Sequence, residues 1–252
     1  AMTDPARDLK NGVVLAELGG HGDGPYCAKH AANAALAVMG TYIIDPGDEV
    51  PSPAHFVFKP DPAVYVPYLQ KHVAAGRANG LPVCVSAISV ALADTVDFLV
   101  AAEEAGADYV SLCAHSPMEM FVKDRLGEEL CRRENAALLN EWMSAIQAAV
   151  TVPVILKTVL NDLADSLHTV DTMAAIGVPV VHINLRDARA GSPGLAAVGQ
   201  LAGKCECLVA GNRIQTVADA RRILDAGADA VAIGTAAMKD AALCGTIQQA
   251  LR

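Results

Sequence analysis

Polar side chains stand at the ends of short apolar segments in the second half of this sequence. Lys157 ends one such segment, His182 and Asn184 lie in the next, and Arg186 follows it. A lysine that ends a buried segment is costly unless it meets an anion or an electron-rich ligand. We therefore expect Lys157 to contact a ligand, with a structural ion pair to Glu17 as the alternative. His182 fits a ligand contact and a satisfied core position equally well, and Arg186 fits a substrate contact and a solvated loop equally well.

Two later apolar segments end in glycine. One closes with Gly211 and Asn212, and the other with Gly234 and Thr235. A glycine at the end of a strand lets a ligand approach the backbone, and free N–H groups in such a turn bind phosphate. Because both turns carry the feature, we predict a phosphate site there rather than two tight turns.

A reactive cluster follows an earlier apolar segment, where Cys113, His115 and Ser116 stand within four residues. Each of them could transfer a proton, and His115 has the most suitable unperturbed pKa. A serine in that role would need a neighbouring base or a chain of water molecules. The sequence also offers five potential metal ligands: His21, Asp23, Cys27, Cys113 and His115. Their spacings match no familiar metal cluster, so we predict no metal site.

Regularly alternating elements must position these side chains. Eight short apolar segments predict strands over Val13–Leu18, Thr41–Asp45, Pro82–Ser86, Asp108–Leu112, Pro153–Lys157, Pro179–Asn184, Glu206–Ala210 and Ala228–Gly234. Amphipathic segments predict helices over Pro25–Met39, Asp61–Asn79, Ala91–Ala105, Leu126–Val150, Leu163–Ile176, Leu195–Ala202, Thr216–Ala226 and Ala236–Leu251. The segment Leu126–Val150 is long and fits either one helix or two. Strict alternation favours a single-domain α/β fold over residues 1–252, a (β/α)8 TIM barrel, over a doubly wound open sheet. In such a barrel the active site lies at the carboxyl ends of the strands.

Composition narrows the partners. The 252 residues are 53% hydrophobic and 19% charged, yet no apolar run approaches the ~20 residues that a membrane-spanning helix needs. The formal net charge of −9 disfavours nucleic acid, because proteins that bind it are usually basic. The seven cysteines and the polar start favour a cytoplasmic protein without disulfide bonds. Apolar faces such as residues 31–39 hint at a homo-oligomer, although packing on the barrel explains them equally well.

Several motifs, in this order, resemble the FMN-binding barrels of the tRNA-dihydrouridine synthase and dihydroorotate dehydrogenase group. Residues 15–26 are similar to the synthases' opening motif, and residues 153–157 to the strand that carries their FMN-contacting lysine. Val181 and His182 match their flavin-contacting histidine strand. The segments 209–214 and 218–220 are similar to the phosphate loop and its helix, and 230–236 to the dehydrogenases' last phosphate strand.

The resemblance implies an FMN cofactor and assigns roles to residues of this chain. The implied cofactor contacts are Lys157, His182, Ser86, Gly211, Asn212, Gly234 and Thr235, with Lys157 near the N1/O2 edge of the flavin. The implied substrate contacts are Asn184 and Arg186, and the implied catalytic residues are Ser116, His115 and Cys113. The resemblance therefore implies an oxidoreductase that transfers hydride between flavin and a small, pyrimidine-like substrate.

The departures from the synthase pattern are specific. Glu17 and Leu18 stand where the synthases have Pro-Met under the flavin, and Ser86 stands where they have glutamine. Ser116 stands where the synthases have the cysteine that acts as their general acid, and Cys113 stands where they have asparagine. This sequence has no counterpart of their C-terminal tRNA-gripping domain. With the negative charge, this favours a small-molecule substrate over tRNA.

Two other functions remain open. A lyase, aldolase or isomerase acting on a phosphorylated metabolite would use the same glycine turns, with Lys157 as base or Schiff-base nucleophile. A barrel that binds flavin or another phosphate ligand without turnover would also carry these features, because the loop with Cys113 is altered.

Overall fold

The computed structural model describes residues 2–47 and 56–252. Its strands are β1 Gly12–Leu15, β2 Leu36–Ile44, β3 Val57–Phe58, β4 Val83–Ile88, β5 Tyr109–Cys113, β6 Val154–Val159, β7 Val180–Asn184, β8 Cys207–Gly211 and β9 Ala230–Ile233. All pair in parallel, and β1 pairs with both β2 and β9, which closes eight strands into a barrel. The short β3 pairs with the end of β2. The structure therefore confirms the predicted single-domain (β/α)8 TIM barrel.

Helices alternate with the barrel strands. They are α1 Pro5–Asp8, α2 Gly24–His30, α3 Pro62–Gly76, α4 Leu92–Glu104, α5 Glu119–Val122, α6 Ala136–Ala149, α7 Leu163–Ile176, α8 Pro193–Leu201, α9 Val217–Asp225, α10 Thr235–Lys239 and α11 Leu243–Leu251. Side chains that accept a backbone N–H begin many of them: Asp4, Asp23, Asp61, Asp162, Ser192 and Thr216. These caps explain why the helices start where they do. None of the described helices is both long and apolar enough to cross a membrane.

The barrel interior is layered. Twelve buried residues form an apolar cluster inside the barrel and are called the apolar layer: Leu9, Val14, Leu36, Val38, Cys84, Tyr109, Ile155, Val180, Cys207, Val209, Ala230 and Ala232. Alternate residues of a strand face the same side, so the residue two positions after each inward residue also points inward, nearer the mouth. Lys157 therefore lies above Ile155, and His182 above Val180. Glu17, Ser86, Lys157 and His182 are called the polar layer.

The predicted helix Pro25–Met39 is wrong in its second half. The helix ends at His30, the chain turns through Asn33 at φ 66°, and β2 begins at Leu36. Residues 36–39 are buried on both faces of the barrel wall, so they form a continuous apolar run without a helical or strand period. Because these residues are buried, they offer no exposed helix face for self-association.

Two other predicted helices are interrupted. Residues Gly127–Glu129 and Arg133–Asn135 form 3₁₀ turns before α6, so Leu126–Val150 is not one helix. Gly127 has φ 57°, and a Cβ there would lie 2.2 Å from the Ser116 carbonyl oxygen, so a helix cannot pass through it. The predicted helix Ala236–Leu251 is divided into α10 and α11 at Asp240, whose backbone is extended.

Candidate active site

A cavity of about 430 Å³ opens at the carboxyl ends of the strands. Nine of the residues predicted for the site line it: Cys113, His115, Lys157, His182, Asn184, Gly211, Asn212, Gly234 and Thr235. Further lining comes from the first two barrel strands and their loops, including Glu17 and Thr41. The alternating pattern of the strands brings these residues together from positions more than 200 apart in the sequence.

An ion pair occupies the deep side of this cavity. Lys157 Nζ lies 3.2 Å from Glu17 Oε2, and the two side chains are 8% and 7% exposed. This is the ion pair that the sequence left as the alternative for Lys157, yet both residues also line the cavity. Burial is the largest single effect on the pKa of Glu17 and raises it, but the Lys157 charge, His182 and the hydrogen bonds of the carboxylate together outweigh burial and lower that pKa to about 2. The carboxylate is therefore ionised at neutral pH.

His182 lies beside Lys157 on the neighbouring strand, in direct register. The imidazole is buried, and burial together with the Lys157 charge lowers its pKa well below the usual value of 6.5. Burial and Lys157 also lower the pKa of His115, which lies nearer the mouth. Both imidazoles are consequently neutral at pH 7, so each has one N–H donor and one nitrogen acceptor.

Cys113 is 7% exposed and lines the cavity. Burial, and next the nearby Glu17 carboxylate, raise the pKa of its thiol. A thiol with a raised pKa is a poor nucleophile but remains a proton carrier. Ser86 is fully buried and is not among the cavity-lining residues; its Oγ lies 3.1 Å from Thr41 Oγ1. Thr41 thus presents a hydroxyl to the cavity where sequence reasoning placed Ser86.

Two predicted residues face away from the cavity. Ser116 Oγ accepts the Met118 N–H at 3.3 Å, and the Ser116 carbonyl accepts the Glu128 N–H at 2.9 Å. Arg186 donates to Glu128 Oε2 at 3.2 Å, to the Leu160 carbonyl and to the Asn161 side chain. In this structure Ser116 and Arg186 hold loops together, and neither lines the cavity.

The outer side of the cavity is formed by the two predicted phosphate turns. A Cβ added to Gly234 would meet nothing closer than 3.9 Å, so this glycine leaves open space facing the cavity. The first turn of α10 has no side-chain cap; the Ala237 N–H donates to the Gly234 carbonyl at 3.0 Å, and the N–H groups before it in the turn suit a ligand. Gly211 differs, because a Cβ there would lie 2.3 Å from the Ala232 carbonyl oxygen and strand packing alone requires glycine.

Sequence reasoning gave no role to Thr41 and Arg213, which both line the cavity. Arg213 directly follows Gly211 and Asn212, so its position in the glycine turn was the available signal. It also lines a neighbouring cleft of about 360 Å³ with Arg186, Arg189 and Arg222. Thr41 gave no signal, because it was predicted as the first residue of the strand Thr41–Asp45, at the end away from the mouth.

The potential metal ligands are dispersed. Asp23 caps α2 by accepting the Tyr26 N–H, and Cys27 is fully buried in the core, whereas Cys113 and His115 line the cavity. In residues 2–47 and 56–252, no three His, Cys, Asp or Glu side chains are arranged to hold a metal ion.

A family model described as dihydrouridine synthase matches residues 70–252. The chain belongs to the dihydrouridine synthase family. The matched stretch contains every predicted site residue, from Ser86 to Thr235, and leaves Glu17 and Thr41 outside it. The family membership confirms the resemblance stated from the motifs. The rest of the cavity lining, including Glu17 and Thr41, comes from the loop after β1 and from β2, outside the matched stretch.

Solved structures share the fold. Dihydroorotate dehydrogenase from Eimeria tenella in complex with ferulenol gives a TM-score of 0.70 at 15% identity, over 94% of this chain and 79% of that one. A morphinone reductase variant in complex with tetrahydroNAD gives 0.73 at 14% identity, over 97% and 88%. At these identities the likeness shows the fold alone. The comparison with curated proteins gave no match.

Proposed function

We propose that this protein is an FMN-dependent oxidoreductase that acts on a small molecule. Membership of the dihydrouridine synthase family supports the class of chemistry, since that family is flavin-dependent. The observation that carries the proposal is the cavity itself. One side offers open backbone at Gly234 and the uncapped start of α10, and the other offers the buried Lys157.

The residues present fit FMN. A volume of about 430 Å³ lies in the range of cavities that bind cofactors and drug-sized ligands. The turns at Gly211–Asn212 and Gly234–Thr235, with Arg213 beside them, suit a phosphate. The buried unpaired oxygen of Glu17 and the remaining N–H donors of Lys157 suit a polar ring at the other side.

FMN, when bound, supplies hydride transfer. Lys157 would then place positive charge at the deep side of the cavity, where it stabilises electron density on a ligand. His182, neutral and buried, would hold the ring through a hydrogen bond. His115, neutral and nearer the mouth, would hold or move a proton of the substrate, with the Cys113 thiol as the second proton carrier.

Asn184 would orient the substrate. Its Oδ1 already accepts the Arg186 N–H at 2.8 Å and the Asn212 amide at 3.3 Å, so its own Nδ2 donors are the groups directed to a ligand. In this proposal Arg186 acts indirectly, by fixing the loop that carries Asn184. We also propose that the substrate is a small, pyrimidine-like molecule rather than nucleic acid. The proposed location is the cytoplasm, and the proposed assembly is a homo-oligomer.

The ion pair argues against the Schiff-base alternative. A Schiff base needs a lysine amine that is free to attack a carbonyl, whereas Lys157 Nζ is held 3.2 Å from the Glu17 carboxylate in an ion pair. The oxidoreductase role uses Lys157 as a hydrogen-bond donor and positive charge, so the observed ion pair is consistent with it.

The test is the visible spectrum of the purified protein, followed by titration with FMN. Flavin absorption near ~450 nm is expected, and binding should weaken in Lys157→Ala but not in the exposed control Lys204→Ala. Reduction of the bound flavin by NADH or NADPH in stopped flow would then separate an enzyme from a binding protein. A colourless protein that takes up no FMN would refute the proposal.

A further inference from the structure

One oxygen of Glu17 is buried without a partner. Oε2 accepts from Lys157 at 3.2 Å, but Oε1 has no hydrogen bond within the described residues, and the side chain is only 7% exposed. Buried polar atoms are nearly always hydrogen-bonded, and an unpaired one is costly, more so when it carries charge. An ionised carboxylate only accepts hydrogen bonds, so a group that satisfies Oε1 must be an N–H or O–H donor.

The neighbouring Lys157 has the opposite character. Its ammonium has three N–H donors, of which one is directed to Glu17. Both side chains line the same cavity, so a ligand meets an acceptor and a donor side by side. This pattern is the complement of a ring N–H next to a ring carbonyl, as in a cyclic amide.

We propose that Glu17 and Lys157 together recognise the cyclic-amide edge of a heterocyclic ligand, with Glu17 Oε1 accepting the ring N–H and Lys157 donating to the adjacent carbonyl. The inference rests on the proposed function for the identity of the ligand. The flavin ring and a pyrimidine-like substrate both carry such an edge, and binding experiments distinguish the two.

The proposed acceptor, Glu17, is a feature in which this chain differs from the synthases that it resembles. Glu17 lies outside residues 70–252, which match the family model, and it stands where the resembling synthases have Pro-Met, which offers no side-chain acceptor. The negative charge of Glu17 also selects against ligands that are anionic or N-alkylated at this edge. Glu17 is therefore a specificity-determining residue in this proposal.

The experiment compares FMN with 3-methyl-FMN, in which a methyl group replaces the ring N–H. Dissociation constants are measured by quenching of flavin fluorescence with wild type, Glu17→Gln and the exposed control Glu141→Gln. Wild type and the control should prefer FMN by about 10- to 100-fold, because a hydrogen bond to a charged group is lost. In Glu17→Gln the amide oxygen would turn to Lys157 and its NH₂ to the ligand, so the preference should fall at least about tenfold.

A second arm uses uracil and 1,3-dimethyluracil, measured by calorimetry with and without FMN. Suppose that FMN and 3-methyl-FMN bind equally well, but uracil binds better than 1,3-dimethyluracil and this preference is lost in Glu17→Gln. Then Glu17 and Lys157 bind the cyclic amide of the substrate and not that of the flavin, and the inference holds. Glu17→Ala, which removes the acceptor and makes room for the methyl group, should bind the methylated ligand at least as well as the parent. A purely structural role for Glu17 would weaken both ligands equally and would overturn the inference.

The remaining outcomes separate the two proposals. If FMN binds and neither ligand pair is discriminated, the inference fails while the proposed function stands. If no FMN binds but uracil discrimination depends on Glu17, the inference stands and the flavin proposal fails. If neither FMN nor uracil binds, both fail. Circular dichroism checks that each variant is folded, and the wild-type comparison of ligands needs no variant.

Discussion

The two layers of the barrel interior are built by the same strands but do different work. Ile155 and Lys157 lie on one face of β6, two residues apart, and Val180 and His182 lie the same way on β7. In the apolar layer, buried apolar side chains from all eight barrel strands pack against one another, and Ala232 alone of the twelve lines the cavity. In the polar layer, a charged pair and an imidazole border a cavity. The strand geometry thus determines which side chains point into the barrel. The residue type then determines whether an inward side chain packs in the core or lines the ligand cavity.

The largest loss of stability is expected when only one partner of the Glu17–Lys157 ion pair is replaced. Glu17→Leu leaves Lys157 buried without its carboxylate, which should lower the free energy of unfolding by about 3–5 kcal/mol. The double variant Glu17→Leu with Lys157→Met should recover most of this loss, because apolar replacement of a buried ion pair is often neutral. Urea unfolding of the three proteins measures both values. A loss under about 1 kcal/mol for Glu17→Leu would mean that water solvates the pair.

In the apolar layer the corresponding change is Ile155→Ala. Ile155 is 2% exposed, so its truncation should leave a cavity and cost about 2–5 kcal/mol. FMN affinity should stay within about twofold of wild type, since the change lies below the ligand cavity. Urea unfolding and fluorescence titration on the same sample check the two halves. A large loss of affinity would show that the layers are coupled through β6.

The two glycine turns at the mouth of the cavity separate a residue needed for packing, Gly211, from a residue assigned to the ligand, Gly234. Gly211→Ala would place a Cβ 2.3 Å from the Ala232 carbonyl oxygen, so it should cost about 1–3 kcal/mol of stability. Gly234→Ala meets nothing closer than 3.9 Å and should change stability by less than about 0.5 kcal/mol while weakening FMN binding. Thermal unfolding and FMN titration of both variants test this. Equal loss of stability in the two variants would contradict the assignment of Gly234 to the ligand.

The sequence predicts six of the barrel strands well, β4 to β9, because each is a short, mostly apolar run bounded by helix and turn signals. It located Lys157 and His182 for the same reason, since strand periodicity sets their direction. The strand β2 was misplaced because residues 31–38 are rich in alanine and no glycine or proline separates them from α2, so the helix was extended through them. The strands that were predicted well are just as buried, so the missing turn signal and not burial distinguishes β2 from them.

The loop residues were harder to predict. Arg186 adopts φ 59° and donates to Glu128, which lies 58 positions earlier in the chain. Ser116 is held by its own loop through Met118. The Arg186 contact joins distant loops, which no local pattern encodes, and the Ser116 contact is a turn within one loop, so residue type alone suggested ligand contacts for both. The unpaired Glu17 Oε1 is also visible only after folding, because the sequence shows a carboxylate and not which of its oxygens is bonded.

The polar layer also gives the protein an acid sensitivity, which is spread over several pH units. The folded protein holds the pKa of His182 well below 6.5, so unfolding takes up a proton as pH falls below about 6.5, and stability is lost from there downward. The pKa of Glu17 falls from 4.5 to about 2, so its contribution is fully present above about 4.5 and is lost as pH falls toward 2.

The variants separate the two contributions. His182→Gln should flatten the loss of stability just below pH 6.5, and Glu17→Gln should flatten it below about pH 4.5. His115 also has a lowered pKa and will leave part of the upper slope in place. Ile155→Ala should only displace the whole curve, because no group of the apolar layer titrates in acid. Urea unfolding across this pH range gives the three curves. If Ile155→Ala changes the shape of the curve as much as His182→Gln does, the acid response does not come from the polar layer.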